Sequence, residues 1–125
     1  MSNAILGPAI PQLPTADIEV TAEFVERALG FEVVARFANF GHLIVQRGPA
    51  EIHFWRASSE HEARAIAGQS SCYIRVEHVE ALYDELKRRG APFGYELTRQ
   101  PWGMHEMQVN DPYGNAIRFG ERFDR

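Results

Sequence analysis

The chain has a single cysteine, Cys72, in 125 residues. No intramolecular disulfide is possible, which fits a reducing cytoplasm. With Ser71 and Tyr73 beside it and no histidine at motif spacing, the thiol reads as a core side chain and not as a nucleophile. No apolar run has the length of a membrane span, and no basic-then-apolar leader opens the sequence, so no membrane association is expected. A broad basic stripe is also lacking. Net charge is −4, and Lys87-Arg88-Arg89 falls at the end of an expected helix, where cations suit the dipole. Nucleic acid is therefore not an expected partner. The five histidines include no HExxH pattern and no pair at helical ligand spacing, and no glycine-rich loop is present to cradle a phosphate.

The remaining composition is that of one globular domain: hydrophobic residues at 45% and charged residues at 24% suffice for a core. A core of this size often gains stability by dimerisation. Along the chain, Ala9 to Leu13 forms a short strand signal interrupted by proline. Asp17 caps a helix with apolar positions Val20, Phe24, Val25 and Leu29, and Gly30 stops it. Strands are expected over Phe31–Phe37, Gly41–Arg47 and Glu51–Arg56. Ser58 to Gln69 is polar and reads as a linker with one helical turn. The same order then repeats: a strand over Ser71–Val76, a helix over Val79–Arg89 with Gly90 as its stop, and strands near Gly94–Leu97, Met104–Val109 and Ala116–Phe123.

An internal repeat in so short a chain is a strong organising signal. Module one spans about residues 8–57, a linker 58–70, and module two about 71–123. The expected fold is α+β, with two tandem βαβββ modules forming a curved mixed sheet, helices outside and a hollow inside. Such a concavity is a natural ligand site.

The stretch "AIPQLPTADIEVTAEFVERALGF" resembles the opening of the vicinal oxygen chelate superfamily, which groups glyoxalases, bleomycin resistance proteins and dioxygenases. "VEALYDELKRRG" and "DPYGNAIRF" are similar to the helix and final hairpin of that superfamily's second module. "AIP", "QPWG" and "DPYGN" together are most similar to the bleomycin resistance subgroup. The resemblance implies a homodimer with ligand crevices between subunits. It also implies that Pro11 is the hinge at which the N-terminal strand swaps to the partner, a role suited to a residue that breaks strand pairing.

Metal-dependent members of the superfamily take their ligands from three matched places, which here hold Ile10, Ser71 and Arg118. An aliphatic chain has no lone pair, a neutral hydroxyl is a poor ligand, and a guanidinium repels a divalent ion. No metal and no cofactor is therefore expected at the usual place. A non-standard site using His42, His53 and Glu106 is the open alternative.

Strand alternation assigns the faces. Ile52, Phe54, Ile117 and Phe119 point to the core along with Phe24 and Phe31. Glu51, His53, Trp55, Tyr73, Met104, Glu106, Gln108 and Arg118 point into the hollow, preceded by Trp102. A bulge would swap a whole set. The resemblance adds Phe37 and Phe40, which match ligand-contacting aromatics of the resistance proteins. The candidate ligand-binding residues are thus Phe37, Phe40, His53, Trp55, Tyr73, Trp102, Met104, Glu106 and Arg118. Rings of this kind stack on planar heteroaromatic groups.

No acid–base–nucleophile group is evident, so no catalytic residue is assigned. The reading that follows is a non-catalytic protein that sequesters an aromatic antibiotic, either a bleomycin-like glycopeptide or a quinoline- or quinoxaline-type nonribosomal peptide. Two competitors stand beside it. One is a lyase, dioxygenase, thiol transferase or metal-free isomerase of the same superfamily, working through His53 or Glu106. The other is an accessory protein without a small ligand.

Overall fold

Asp17 starts the first helix by accepting the amide of Glu19 at 2.9 Å, and Gly30 ends it in the left-handed region at φ 69°. The computed structural model describes residues 2–123. The elements run β1 (Gln12–Thr15), α1 (Ile18–Leu29), β2 (Glu32–Phe37), a 3-10 turn (Ala38–Phe40), β3 (His42–Arg47) and β4 (Ala50–Arg56). They continue as α2 (Glu60–Ala67), β5 (Ser71–Arg75), α3 (Val79–Arg88), β6 (Phe93–Arg99), β7 (Met104–Asn110) and β8 (Ala116–Arg122). The α+β class holds.

The expected single curved sheet is two four-stranded sheets of identical topology, ordered β1-β4-β3-β2 and β5-β8-β7-β6. In each, the first and last strands pair in parallel and the remaining pairs are antiparallel. The sheets join through one core. Ile52, Phe54, Leu43 and Val45 from the first sheet share a cluster with Met107, Val109, Ile117 and Phe119 from the second. Phe24 and Phe31 lie in it as expected. Val20 does not: the buried stripe of α1 runs through Ile18, Ala22, Val25 and Leu29, and Val20, two residues beyond Ile18, turns to solvent.

Two other expectations need correction. The opening strand lies at Gln12–Thr15 and leaves Ala9 and Ile10 outside it, because pairing to β4 begins only where the Pro11 carbonyl accepts the His53 amide at 3.0 Å. The polar linker contains the two-turn helix α2. Ser59 accepts the amide of Glu62 while Glu62 accepts that of Ser58, a reciprocal cap that stabilises so short a helix.

Two polar joints fix one half against the other. Asn115 Nδ2 donates to the Pro14 carbonyl at 2.9 Å and to Asp111 Oδ2 at 2.6 Å, tying the final turn to β1. Asp111 Oδ1 in turn accepts the amides of Tyr113, Gly114 and Asn115. At the other joint, Arg47 of β3 grips Glu85 of α3 through two bonds of 2.8 Å, and Arg89 adds a third at 2.7 Å. These cations, Arg47 foremost, hold the Glu85 carboxyl down at about 2.

Candidate functional site

Opposite the shared core, each sheet turns its other face outward, and the expected site residues gather there in two sets. On the second sheet the centre is Glu106, in the middle of β7 and only 3% exposed. Its Oε1 accepts the Tyr73 hydroxyl at 2.9 Å and the Trp102 indole N–H at 3.2 Å, and its Oε2 accepts the Tyr95 hydroxyl at 2.5 Å. Burial is the largest influence on this carboxyl and favours the neutral acid. The hydroxyls of Tyr95 and Tyr73, the Trp102 indole and the charge of Arg118 together outweigh it and hold the group below its ordinary range. The two phenols are pushed the other way, to about 12, first by burial and then by Glu106, so they remain donors.

Local sequence explains how these partners converge. Gln100-Pro101-Trp102-Gly103 is a tight turn closed by a 3.0 Å bond from the Gly103 amide to the Gln100 carbonyl, with Gly103 at φ 82°. The turn places Trp102 within reach of Glu106, although the ring is 65% exposed. Tyr73 arrives from β5 across the intervening strand β8. Arg118 sits beside them, with its Nε donating to Gln108 at 2.9 Å. Met104 lies on the same face of β7 and is buried.

Tyr95 belongs to this group and was not expected. It has the parity of Phe93 and Leu97, which pack on the core, so simple alternation hides it. The register of β6 against β7 shifts between Phe93 and Tyr95 and again between Tyr95 and Thr98, and this turns Tyr95 to the face of Glu106.

The first sheet holds the second set. Phe37 ends β2 with its ring 6.3 Å from that of His42, which meets His53 edge-on at 5.2 Å. His53 Nε2 lies 2.5 Å from Glu51 Oε2. Trp55 is half-buried opposite His42 in the β3–β4 register. Phe40, in the 3-10 turn, is 84% exposed. Among the described residues no hydrogen bond or ring pair links this set to the Glu106 set. The single continuous hollow expected from sequence is thus, in one chain, two open faces, because the sheets meet through their opposite sides. Two surface depressions, one along α1 at Glu19, Glu23 and Arg36 and one beside Gly30 and Gly48, include none of the expected site residues.

Residues 7–119 match the model of the Glyoxalase/Bleomycin resistance protein/Dioxygenase superfamily. The chain belongs to that superfamily. It is 33% identical over 125 residues to a bleomycin resistance protein of Geobacillus stearothermophilus, covering 89% of this chain and 93% of that one. Among solved structures it is similar to a bleomycin-binding protein complexed with bleomycin, at 30% identity and a TM-score of 0.77, covering 94% of this chain and all of the other. It is also similar to the bleomycin resistance determinant encoded on the transposon Tn5, at 28% identity and a TM-score of 0.78, covering 94% and 98%.

The metal ligand positions of the superfamily's metal-dependent members do not fit an ion here. Ile10 precedes β1 with an aliphatic side chain, Ser71 is exposed at the start of β5, and Arg118 presents a guanidinium engaged with Gln108. The alternative set is split as well. His42 and His53 are neighbours, but Glu106 lies on the other sheet, bonded to Tyr73, Tyr95 and Trp102, and the carboxylate beside His53 is Glu51. Among the described residues no three His, Cys, Asp or Glu side chains gather at metal-binding spacing. Cys72 is half-buried against the core, and burial first, then Asp111, pushes its thiol up to about 11, unlike an activated nucleophile.

Proposed function

We propose that this member of the superfamily binds and sequesters an aromatic-ring-bearing antibiotic without altering it. The observation that carries the reading is the set of rings held at the surface of otherwise polar faces: Trp102, Phe40, Phe37 and Tyr73 are all exposed. A folded monomer gains nothing from leaving such side chains in water, whereas a planar ligand stacked on them gains about 1 kcal/mol per ring beyond burial. Protection then follows from mass action: bound drug cannot reach its target. The ligand is a bleomycin-like glycopeptide or a quinoline- or quinoxaline-type nonribosomal peptide, the former favoured by the named relatives at about a third identity.

The working form is a cytoplasmic homodimer. Two open faces per chain become closed crevices when a second copy places its first-sheet face against the second-sheet face of its partner. The N-terminal segment supports the same arrangement. Ile5 and Leu6 are 95% and 89% exposed, a placement apolar side chains leave when a partner covers them. Pro11, at the entry to β1, is the hinge from which this segment crosses. Within each crevice Phe37, Phe40, His53 and Trp55 of one copy face Tyr73, Trp102, Met104, Glu106 and Arg118 of the other.

A second reading is enzymatic and rests on the Glu51–His53 pair, whose carboxylate and ring nitrogen lie 2.5 Å apart on the first-sheet face. Tryptophan fluorescence separates the readings. Titration of chelator-treated protein with bleomycin, a quinoline-type depsipeptide and mitomycin should give saturable quenching near one ligand per crevice. No response to any of the three, with stoichiometric metal in untreated protein, would sink the sequestration reading in favour of the enzyme.

A further inference from the structure

We infer that Glu106 and Gly120 are positioning residues: Glu106 holds Tyr73, Tyr95 and Trp102 in one fixed arrangement, and Gly120 keeps open the path by which Tyr73 reaches it. This rests on the ligand-binding reading and adds which residues set the shape of the site.

The three aromatic side chains come from three different places, β5, β6 and the turn before β7, yet all donate to one carboxylate. A buried carboxylate without donors is strongly disfavoured, so the arrangement is mutual: the rings satisfy the anion and the anion fixes the rings. The exposed Trp102 ring would otherwise sample several rotamers. Held in place beforehand, it loses less freedom when a ligand stacks on it.

Tyr73 has the longest way to go. In the sheet order β5-β8-β7 it must pass over β8, where it is in register with Arg118, to reach Glu106, which is in register with Gly120. A Cβ at Gly120 would stand 2.7 Å from Tyr73 Cζ and closer still to its hydroxyl oxygen. Any other residue at this position displaces the tyrosine. Gly120 lies inside a strand, where glycine weakens pairing, and close approach by Tyr73 gives a physical reason for it.

The test combines proton–nitrogen correlation spectra with titrations of bleomycin and a quinoline-type depsipeptide. The two tryptophans give two indole signals, assigned by W102F. In E106Q the Trp102 signal should move while the Trp55 signal stays, and affinity should fall roughly fivefold as charge-assisted bonds become neutral ones. G120A should weaken binding by a similar factor in the wild-type background and have no further effect once Tyr73 is replaced, as in Y73A against Y73A/G120A. An unmoved Trp102 signal with unchanged affinity in E106Q overturns the inference. So does a G120A penalty as large in Y73A as in the wild type. If wild-type protein binds neither compound, the sequestration reading falls instead, and the Trp102 signal in E106Q still decides whether Glu106 holds that ring.

Discussion

Replacing Glu85 by glutamine should loosen the joint between the halves while leaving both ring-bearing faces intact. Glu85 accepts two bonds from Arg47 and one from Arg89, and its carboxyl is lowered from 4.5 to about 2. At ~1.4 kcal/mol per pH unit, that difference corresponds to at most about 3.5 kcal/mol of folding stability. Glu85 is 26% exposed and each guanidinium 37%, so screening by water reduces the expected value to roughly 2 kcal/mol. The folded-state value is depressed, so the contribution is fully present above the ordinary carboxylate range and is lost as pH falls toward about 2. Urea unfolding of wild type and E85Q in parallel isolates it from other titrating groups. The stability gap should be roughly 2 kcal/mol near pH 6 and shrink by half or more by about pH 3. Ligand affinity of the folded variant should match wild type, because Glu85 lies on neither face. A gap under about 0.5 kcal/mol, or one unchanged between these pH values, would show that the Arg47–Glu85–Arg89 cluster does not hold the halves together.

Three further outcomes are expected. W102A should cost at most about 1 kcal/mol of stability, since most of the ring is already in solvent, yet lower antibiotic affinity roughly tenfold; paired denaturation and fluorescence titrations measure both. N115A should lower stability by about 1–3 kcal/mol, because removing the fully buried amide deprives the Pro14 carbonyl and Asp111 Oδ2 of the Nδ2 donor; urea unfolding reads this directly. Removing residues 2–10 should convert a dimer to a monomer in analytical ultracentrifugation and abolish binding, if the exposed Ile5 and Leu6 dock on a partner.

Much of this fold is legible in sequence because its punctuation is local. Asp17 and Gly30 bracket α1, and the interior apolar residues of β4 and β8 alternate cleanly, so Ile52, Phe54, Ile117 and Phe119 fall in the core as parity predicts. The same parity turns Glu106 and Tyr73 to one face, where the structure brings them together. Other features depend on relations between distant segments. Tyr95 reaches Glu106 only through shifts in the β6–β7 register, which no alternation rule registers. The role of Gly120 is invisible until β5 and β7 are known to flank β8. Helix α2 was obscured by its polar, alanine-rich composition, although Ser59 and Glu62 at capping-box spacing offered a readable signal. That the ring-bearing faces stay apart in one chain follows from which sides of the sheets share a core, a tertiary fact outside the reach of periodicity.

Equilibrium dialysis of bleomycin against the purified protein separates binding without chemistry from turnover. Bleomycin should be retained saturably at one molecule per chain, equal to one per crevice in the proposed dimer, and chromatography of the released drug should return it unchanged. Failure to retain both bleomycin and a quinoline-type depsipeptide, or recovery of an altered compound, would rule out sequestration.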